Sequence, residues 1–235
     1  FDRVCHLTLF RVLSDRGVPS VYIKLLLKWY RSQSMWVRWG NTLSEPFDIH
    51  NGVRQGGNLS PMLFNIYIDS LLCELRELHI GCAVNNTSMN VLAYADDIVL
   101  LAPSRSGLQT MLKICESSAT LLDIKFNTIK TKCMMFLPQK PYSGSHLGSD
   151  SPGNMYLNNQ KLAWVNEFKY LGHIVTNKLC DAPDMHRVKR SLYYSANMLG
   201  AKLGFADKAV LLRLFMTYCT SLYGCELWNT YNDKK

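Results

Sequence analysis

The chain has 235 residues, 48% hydrophobic and 19% charged, which is enough apolar content for one large or two smaller folded domains and too much for a disordered chain. Its 26 lysines and arginines stand against 18 acids, a net +8 spread along the sequence, which suits a protein lying along a polyanion and equally an ordinary basic protein. No apolar run reaches membrane-spanning length and no signal peptide opens the chain, so no membrane is expected among the partners.

Eight cysteines (Cys5, Cys73, Cys82, Cys115, Cys133, Cys180, Cys219, Cys225) stand at irregular spacings without a CxxC pair. Reduced, buried thiols and an intracellular setting, nucleus or cytoplasm, are expected, and a zinc site is not. The first residues are Phe1, Asp2 and Arg3 rather than Met, and the chain reads as a piece of a longer protein.

Apolar residues at Leu7, Phe10 and Leu13 predict a helix over 6–15 that stops at Gly17. Pro19 opens a second over about 20–31, with Ile23, Leu26, Leu27 and Tyr30 inward. Residues 35–40 and 43–49 read as a strand pair turning at Asn41 and Thr42, with Trp36 and Trp39 as packing residues. The Gly-rich loop 51–61, NGVRQGGNLSP, then runs into a long helix over about 60–78, with Met62, Leu63, Ile66, Leu71 and Leu75 at core spacing. Glycines before a helix let backbone N–H groups approach a phosphate or a base closely.

Residues 92–102, LAYADDIVLLA, interrupt an apolar run with two adjacent carboxylates. Short buried strands on either side make this a tight β-hairpin with Asp96 and Asp97 at its tip. Like charges side by side there are costly unless a cation neutralises them, and hard oxygen ligands favour Mg²⁺ or Mn²⁺. An Asp-Asp turn also arises simply because Asp favours turns.

Ser106 with Gln109 forms a capping box for a helix to about 122, striped by Leu108, Met111, Leu112, Cys115, Ala119 and Leu122. Asn127, Lys130 and Thr131 follow, ahead of a strand ending near 137, and Lys130 reads as a solvated strand-end lysine. A Pro/Ser/Gly-rich loop covers 138–153. Strands are expected at 155–157, 162–165 and 168–175, the last turning at Leu171 and Gly172. From about 181 the pattern becomes helical, with Arg187, Lys189, Arg190, Lys202, Lys208 and Arg213 set against Asp184 and Asp207 as a basic surface.

The aromatic-Ala-Asp-Asp hairpin resembles the YxDD-type motif of reverse transcriptases, and NGVRQGGNLSPMLFNIYID resembles their GxxQGxxxSPxLFNI stretch through Gly52, Gln55, Gly56, Ser60, Pro61, Leu63, Phe64 and Asn65. Gly57 and Asn58 depart from the family's small-residue-Pro, which predicts a looser loop and altered nucleotide affinity. FDRVCH resembles the end of the family's KAFDxxxH segment, and FKYLGHIV its primer-grip hairpin. The wording is closest to non-LTR, LINE-like retrotransposons.

The resemblance implies an α+β right-hand polymerase: a palm over 1–176, including the loop 138–153, and a helical thumb over 177–235, with the fingers missing. It implies two-metal nucleotidyl transfer, with Asp96 as direct ligand and Asp97 as auxiliary, using Mg²⁺ or Mn²⁺. Nucleotide contacts fall on Phe1, Arg54, Gln55, Gly56 and Lys130, the primer grip on Leu171 and Gly172, and nucleic-acid contacts on Arg187, Lys189, Arg190 and Lys202. By this alignment the other essential Asp lies upstream of Phe1, Asp2 is not its equivalent, and the chain alone is expected to be inactive. The implied partners are an RNA or DNA template with a DNA primer and deoxynucleoside triphosphates, with fingers and an endonuclease domain in the parent chain. A catalytically inactive, nucleic-acid-binding remnant of a retroelement and a metal-dependent nuclease are the rival readings.

Overall fold

The computed structural model describes residues 1–85, 87–136 and 153–228, so nearly all of the loop expected at 138–153 lies outside the described residues. In chain order, α1 (His6–Asp15) and α2 (Ser20–Arg31) precede β1 (Ser34–Met35), β2 (Arg38–Trp39), β3 (Thr42–Leu43) and β4 (Phe47–Asp48). Then come α3 (Ser60–Glu77), β5 (Ala83–Val84), β6 (Thr87–Ser88), β7 (Val91–Tyr94), β8 (Asp97–Leu100) and α4 (Arg105–Leu121). After β9 (Lys132–Cys133), β10 (Tyr156–Leu157), β11 (Gln160–Lys161), β12 (Ala163–Trp164), β13 (Glu167–Tyr170) and β14 (His173–Thr176), the chain ends in α5 (Ala182–Leu203), α6 (Lys208–Tyr218) and a short 3₁₀ turn, Cys225–Leu227. Helices and small, mostly antiparallel sheets make this a mixed α and β chain, and no described helix is long and apolar enough to cross a membrane.

Two compact units divide the chain, the first formed by 1–131 with 154–162 and the second by 132–153 with 163–235. The division therefore falls ahead of the β13–β14 hairpin.

The first unit is organised by α3. Pro61 suits its first turn, where a missing N–H costs nothing, and Leu63, Phe64, Tyr67, Ile68, Leu71, Leu72 and Leu75 are buried along one face. That face meets Leu9, Phe10 and Leu13 of α1, Met111 and Cys115 of α4, and Val91 of β7 in one apolar cluster. Each fully buried aliphatic side chain contributes about 1.5–3 kcal/mol, so this cluster dominates the unit's stability. Tyr67 is fully buried, and its hydroxyl is satisfied by donating to the Leu122 carbonyl and accepting from Cys5 N–H at 3.3 Å. Burial, aided by Glu74 and Glu116, pushes the Cys115 thiol up to about 12, which leaves it an inert core residue.

Several expectations need correction. Met62 is 60% exposed and Leu7 75%, because each sits beside the buried stripe of its helix rather than on it. Trp36 and Trp39 do not pack in the core but are 54% and 87% exposed. The strand pair there is broken into β1–β4 and β2–β3, and its inner turn is Gly40 and Asn41 between Trp39 and its partner Thr42. The flanking strands of the acid hairpin are not fully buried either, since Leu92 and Tyr94 face solvent. All eight cysteines are free, yet Cys73 and Cys180 are exposed.

Helix α4 is capped two residues earlier than its expected capping box, by Ser104, whose side chain accepts from Gly107 N–H at 3.1 Å. Gln109 is instead held by Tyr156, donating to its carbonyl and accepting from its N–H, both at 2.9 Å. Ser104→Ala should therefore cost about 1 kcal/mol, read as a lower midpoint in urea unfolding, while Ser106→Ala should leave the midpoint unchanged.

The second unit has a thin apolar core: among the described residues only Cys133, Val188 and Cys219 are buried hydrophobics. Its order comes from the four-pair β13–β14 ladder, the parallel pairing of β9 with β12, and buried polar contacts around α5.

Candidate active site

The acid pair sits where the sequence pattern predicts a hairpin tip. Strands β7 and β8 pair antiparallel from Val91–Leu100 to Tyr94–Asp97, so the turn itself is only Ala95 and Asp96, and Asp97 is the first residue of β8. Cross-strand partners share a face: Val91, Leu100 and Ile98 pack toward the core, whereas Leu92, Tyr94 and Asp97 are exposed on the outer face. Ala95 adopts φ 53°, a conformation that costs a residue bearing a Cβ about 1–2 kcal/mol and that often marks functional turns. Both carboxylates are exposed, and among the described residues neither makes a hydrogen bond or ion pair.

One buried residue sets the hairpin's position, and the sequence pattern gave no sign of it. Asn90, 2% exposed and immediately before β7, donates to the Leu75 and Leu78 carbonyls at the end of α3, at 3.0 and 2.6 Å. Those carbonyls lack intrahelical partners, so the amide ties the start of the hairpin to the central helix.

The Gly-rich loop is anchored to the first residues of the chain. Gly52 N–H donates to the Val4 carbonyl at 2.8 Å, Val53 N–H to the Phe1 carbonyl at 3.0 Å, and His6 Nε2 lies 2.8 Å from the Gly52 carbonyl. Gly52 holds φ 89°, and a Cβ there would come within 3.0 Å of the Asp2 carbonyl oxygen, a close approach that only glycine tolerates. The Phe1 ring stacks on Phe64 with centroids 4.6 Å apart, and Gln55 donates to Asp2 at 3.0 Å.

Gly57 does not loosen this loop. Its N–H donates to the Arg54 carbonyl at 3.1 Å, Ser60 Oγ bonds the same carbonyl, and a Cβ on Gly57 would meet Ser60 Oγ at 2.8 Å. A second glycine permits a tight turn here.

Arg54, Gln55 and Gly56 are brought together in a pocket of about 390 Å³, whose other walls include Trp29, Tyr30, Gln33 and Leu59. Burial pushes the Tyr30 phenol above its ordinary value, so that wall is neutral. Asp96 and Asp97 are not among the lining residues. Lys130 is exposed in a turn whose N–H groups at 129 and 130 donate to the Asn127 side chain. An open groove on α2 lined by Lys24, Leu27, Lys28, Arg31 and Ser32 adds three cations at helical spacing.

In the second unit, Leu171 and Gly172 do form the β13–β14 turn, with φ 46° and 86°. Lys189, Arg190 and Lys202 are exposed on α5, but Arg187 is turned inward onto Asp184 at 2.7 Å. Asp184 is fully buried rather than a surface acid.

The donor set at the hairpin fits a hard divalent cation, two exposed carboxylates with no competing donor, better than it fits zinc. Among the described residues, however, no group of three or more His, Cys, Asp or Glu side chains converges on a metal position. Asp96 and Asp97 could hold one face of an ion, and further oxygen ligands must complete it.

The family model for reverse transcriptase (RNA-dependent DNA polymerase) matches residues 1–175. The chain is 32% identical over 183 residues to the retrovirus-related Pol polyprotein of the type-2 retrotransposable element R2DM of Drosophila melanogaster, covering 73% of this chain and 16% of that protein. It is 27% identical over 197 residues to the corresponding R2 polyprotein of Nasonia vitripennis, covering 80% and 19%. A probable RNA-directed DNA polymerase from the Drosophila melanogaster transposon X-element aligns with 99% of this chain at 23% identity, over 25% of its own length. The chain thus spans a quarter or less of these curated relatives. It belongs to the reverse transcriptase family, and its relatives are the enzymes of non-LTR retrotransposons.

Proposed function

We propose that this chain is the palm and thumb part of a longer reverse transcriptase that extends a DNA primer on a nucleic-acid template by two-metal nucleotidyl transfer. The observation that carries the reading is the exposed Asp96–Asp97 pair, at and beside a strained two-residue turn, in a chain of this family. Bound at these carboxylates, Mg²⁺ or Mn²⁺ would activate the primer 3′-hydroxyl and neutralise the leaving pyrophosphate. Asp96, at the apex, is the direct ligand, and Asp97, on the outer face beside Tyr94, orients or supplements it.

Two neighbouring carboxylates are too few for two ions, so oxygen ligands beyond Asp96 and Asp97 must complete the site. The pocket of Arg54, Gln55 and Gly56 receives the nucleotide or its templating base. Phe1, stacked on Phe64 and not part of that pocket's lining, packs under the sugar, and Lys130 answers the triphosphate. The Leu171–Gly172 turn seats the primer end. Fingers and an endonuclease belong to the rest of the parent protein.

The test is primer extension by the full-length protein on an RNA template with deoxynucleoside triphosphates. Expected is DNA synthesis that chelation stops and Mg²⁺ or Mn²⁺ restores. Binding without incorporation would favour an inactive remnant, and cleavage without nucleotides a nuclease. Affinity for primer–template should also fall steeply with salt as phosphate contacts release counterions. Replacing Lys189, Arg190 and Lys202 together with glutamine should reduce the magnitude of the log–log salt slope by roughly 2–3.

A further inference from the structure

Among the described residues of the second unit, one buried charge is not used by the proposed chemistry. Asp184 lies fully buried in the first turn of α5, where the helix N-terminus favours an anion. Its Oδ1 accepts from Ile174 N–H at 2.9 Å and from Arg187 Nε at 2.7 Å, and its Oδ2 accepts from Trp228 Nε1 at 2.9 Å. His173 Nδ1 stands 3.0 Å from Oδ2 but is not aligned for a hydrogen bond, and it is a buried nitrogen without such a partner among the described residues. Burial opposes ionisation, yet the bonds from Arg187, Ile174 and Trp228, with the His173 charge, outweigh it and hold the carboxyl well below the usual carboxylate range.

These contacts join three parts of the unit. His173 and Ile174 follow directly on the Leu171–Gly172 turn, Asp184 and Arg187 belong to α5, and Trp228 comes after α6. The same turn is braced from its other side. A Cβ on Gly172 would come 3.0 Å from the Tyr223 ring and one on Gly224 3.4 Å from His173 Nδ1, while Arg187 reaches the Tyr223 carbonyl at 3.5 Å. With so little apolar burial in this unit, packing alone does not fix where the turn points.

We propose that Asp184 is the positioning residue of the Leu171–Gly172 turn: it sets where that turn presents its backbone, by binding His173–Ile174 to α5 and to Trp228, without itself touching nucleic acid. The proposal rests on the reading of that turn as the element that seats the primer.

The test uses the full-length protein with Asp184→Asn, Trp228→Phe and, as a control on the turn itself, Leu171→Ala. Primer–template and nucleotide are titrated separately in primer extension, and amide hydrogen exchange is followed at Ile174. Asp184→Asn keeps the side chain's shape while removing its charge. It should raise KM for primer–template roughly ten- to hundredfold, leave KM for the nucleotide unchanged, and speed exchange at Ile174 more than in the first unit. Trp228→Phe should shift both readouts the same way by less, and it decides the matter if Asp184→Asn does not fold. If Leu171→Ala raises the primer–template KM while Asp184→Asn and Trp228→Phe do not, the positioning role is refuted and the primer-seating reading survives. If none of the three changes it, both fall.

Discussion

Replacing Asp96 by alanine in the full-length protein is expected to slow nucleotide addition by about a thousandfold or more, without unfolding it. On the role proposed for Asp96, the magnitude follows from what would be lost: an anionic ligand for a cation that offsets charge developing on the attacking and leaving oxygens. The absence of unfolding follows from the structure. Asp96 is exposed at the apex of a two-residue turn, and among the described residues it makes no hydrogen bond or ion pair. Asp97 is the first residue of β8, opposite Tyr94 on the outer face, and Asp97→Ala should cost a smaller factor, roughly ten- to a hundredfold. Single-turnover incorporation, with thermal unfolding alongside, separates the two effects. Incorporation that survives Asp96→Ala would reject the role assigned to it.

The largest stability effect is expected at a residue that touches no substrate. Asn90→Leu removes the amide that serves the Leu75 and Leu78 carbonyls and leaves two helix-end acceptors unsatisfied beside a buried position. Each such loss costs about 1–3 kcal/mol, so about 2–6 kcal/mol together is expected, or a melting temperature lower by roughly 4–24 °C. Because Asn90 adjoins β7, and its carbonyl accepts from Leu101 N–H at 2.8 Å, the acid hairpin should loosen as well. Urea unfolding with an unchanged slope and a lower midpoint would show it. An unchanged midpoint would mean that the amide contributes nothing.

Much of the first unit was readable because its signals are local. The acid hairpin announces itself as a short polar break between apolar strands, and α3 as a long run with the right period behind Pro61. Periodicity specifies a face only within about a residue, which is why Met62 reads as inward and yet is exposed. Trp36 and Trp39 show the converse: large aromatics suggest packing, yet their two-residue strands leave them in water. Gln109 follows Ser106 at capping spacing, but its amide is taken by Tyr156, far along the chain. Asn90 and Asp184 escape a reading of the sequence for the same reason. A polar side chain reads as surface until the carbonyls, N–H groups or cations that satisfy it are in view, and those lie at long range or across several segments. Arg187 follows suit, since its apparent place on a basic surface disappears once its carboxylate partner is buried.

The claim on which the rest depends is that the hairpin acids hold the catalytic cations. It is tested most directly by counting bound Mn²⁺ by electron paramagnetic resonance in the full-length protein, assembled with a 3′-terminated primer–template and a deoxynucleoside triphosphate. The account predicts two tightly bound ions in the wild type and the loss of at least one in Asp96→Asn, with primer–template still bound. Equal Mn²⁺ stoichiometry and affinity in both proteins would contradict it.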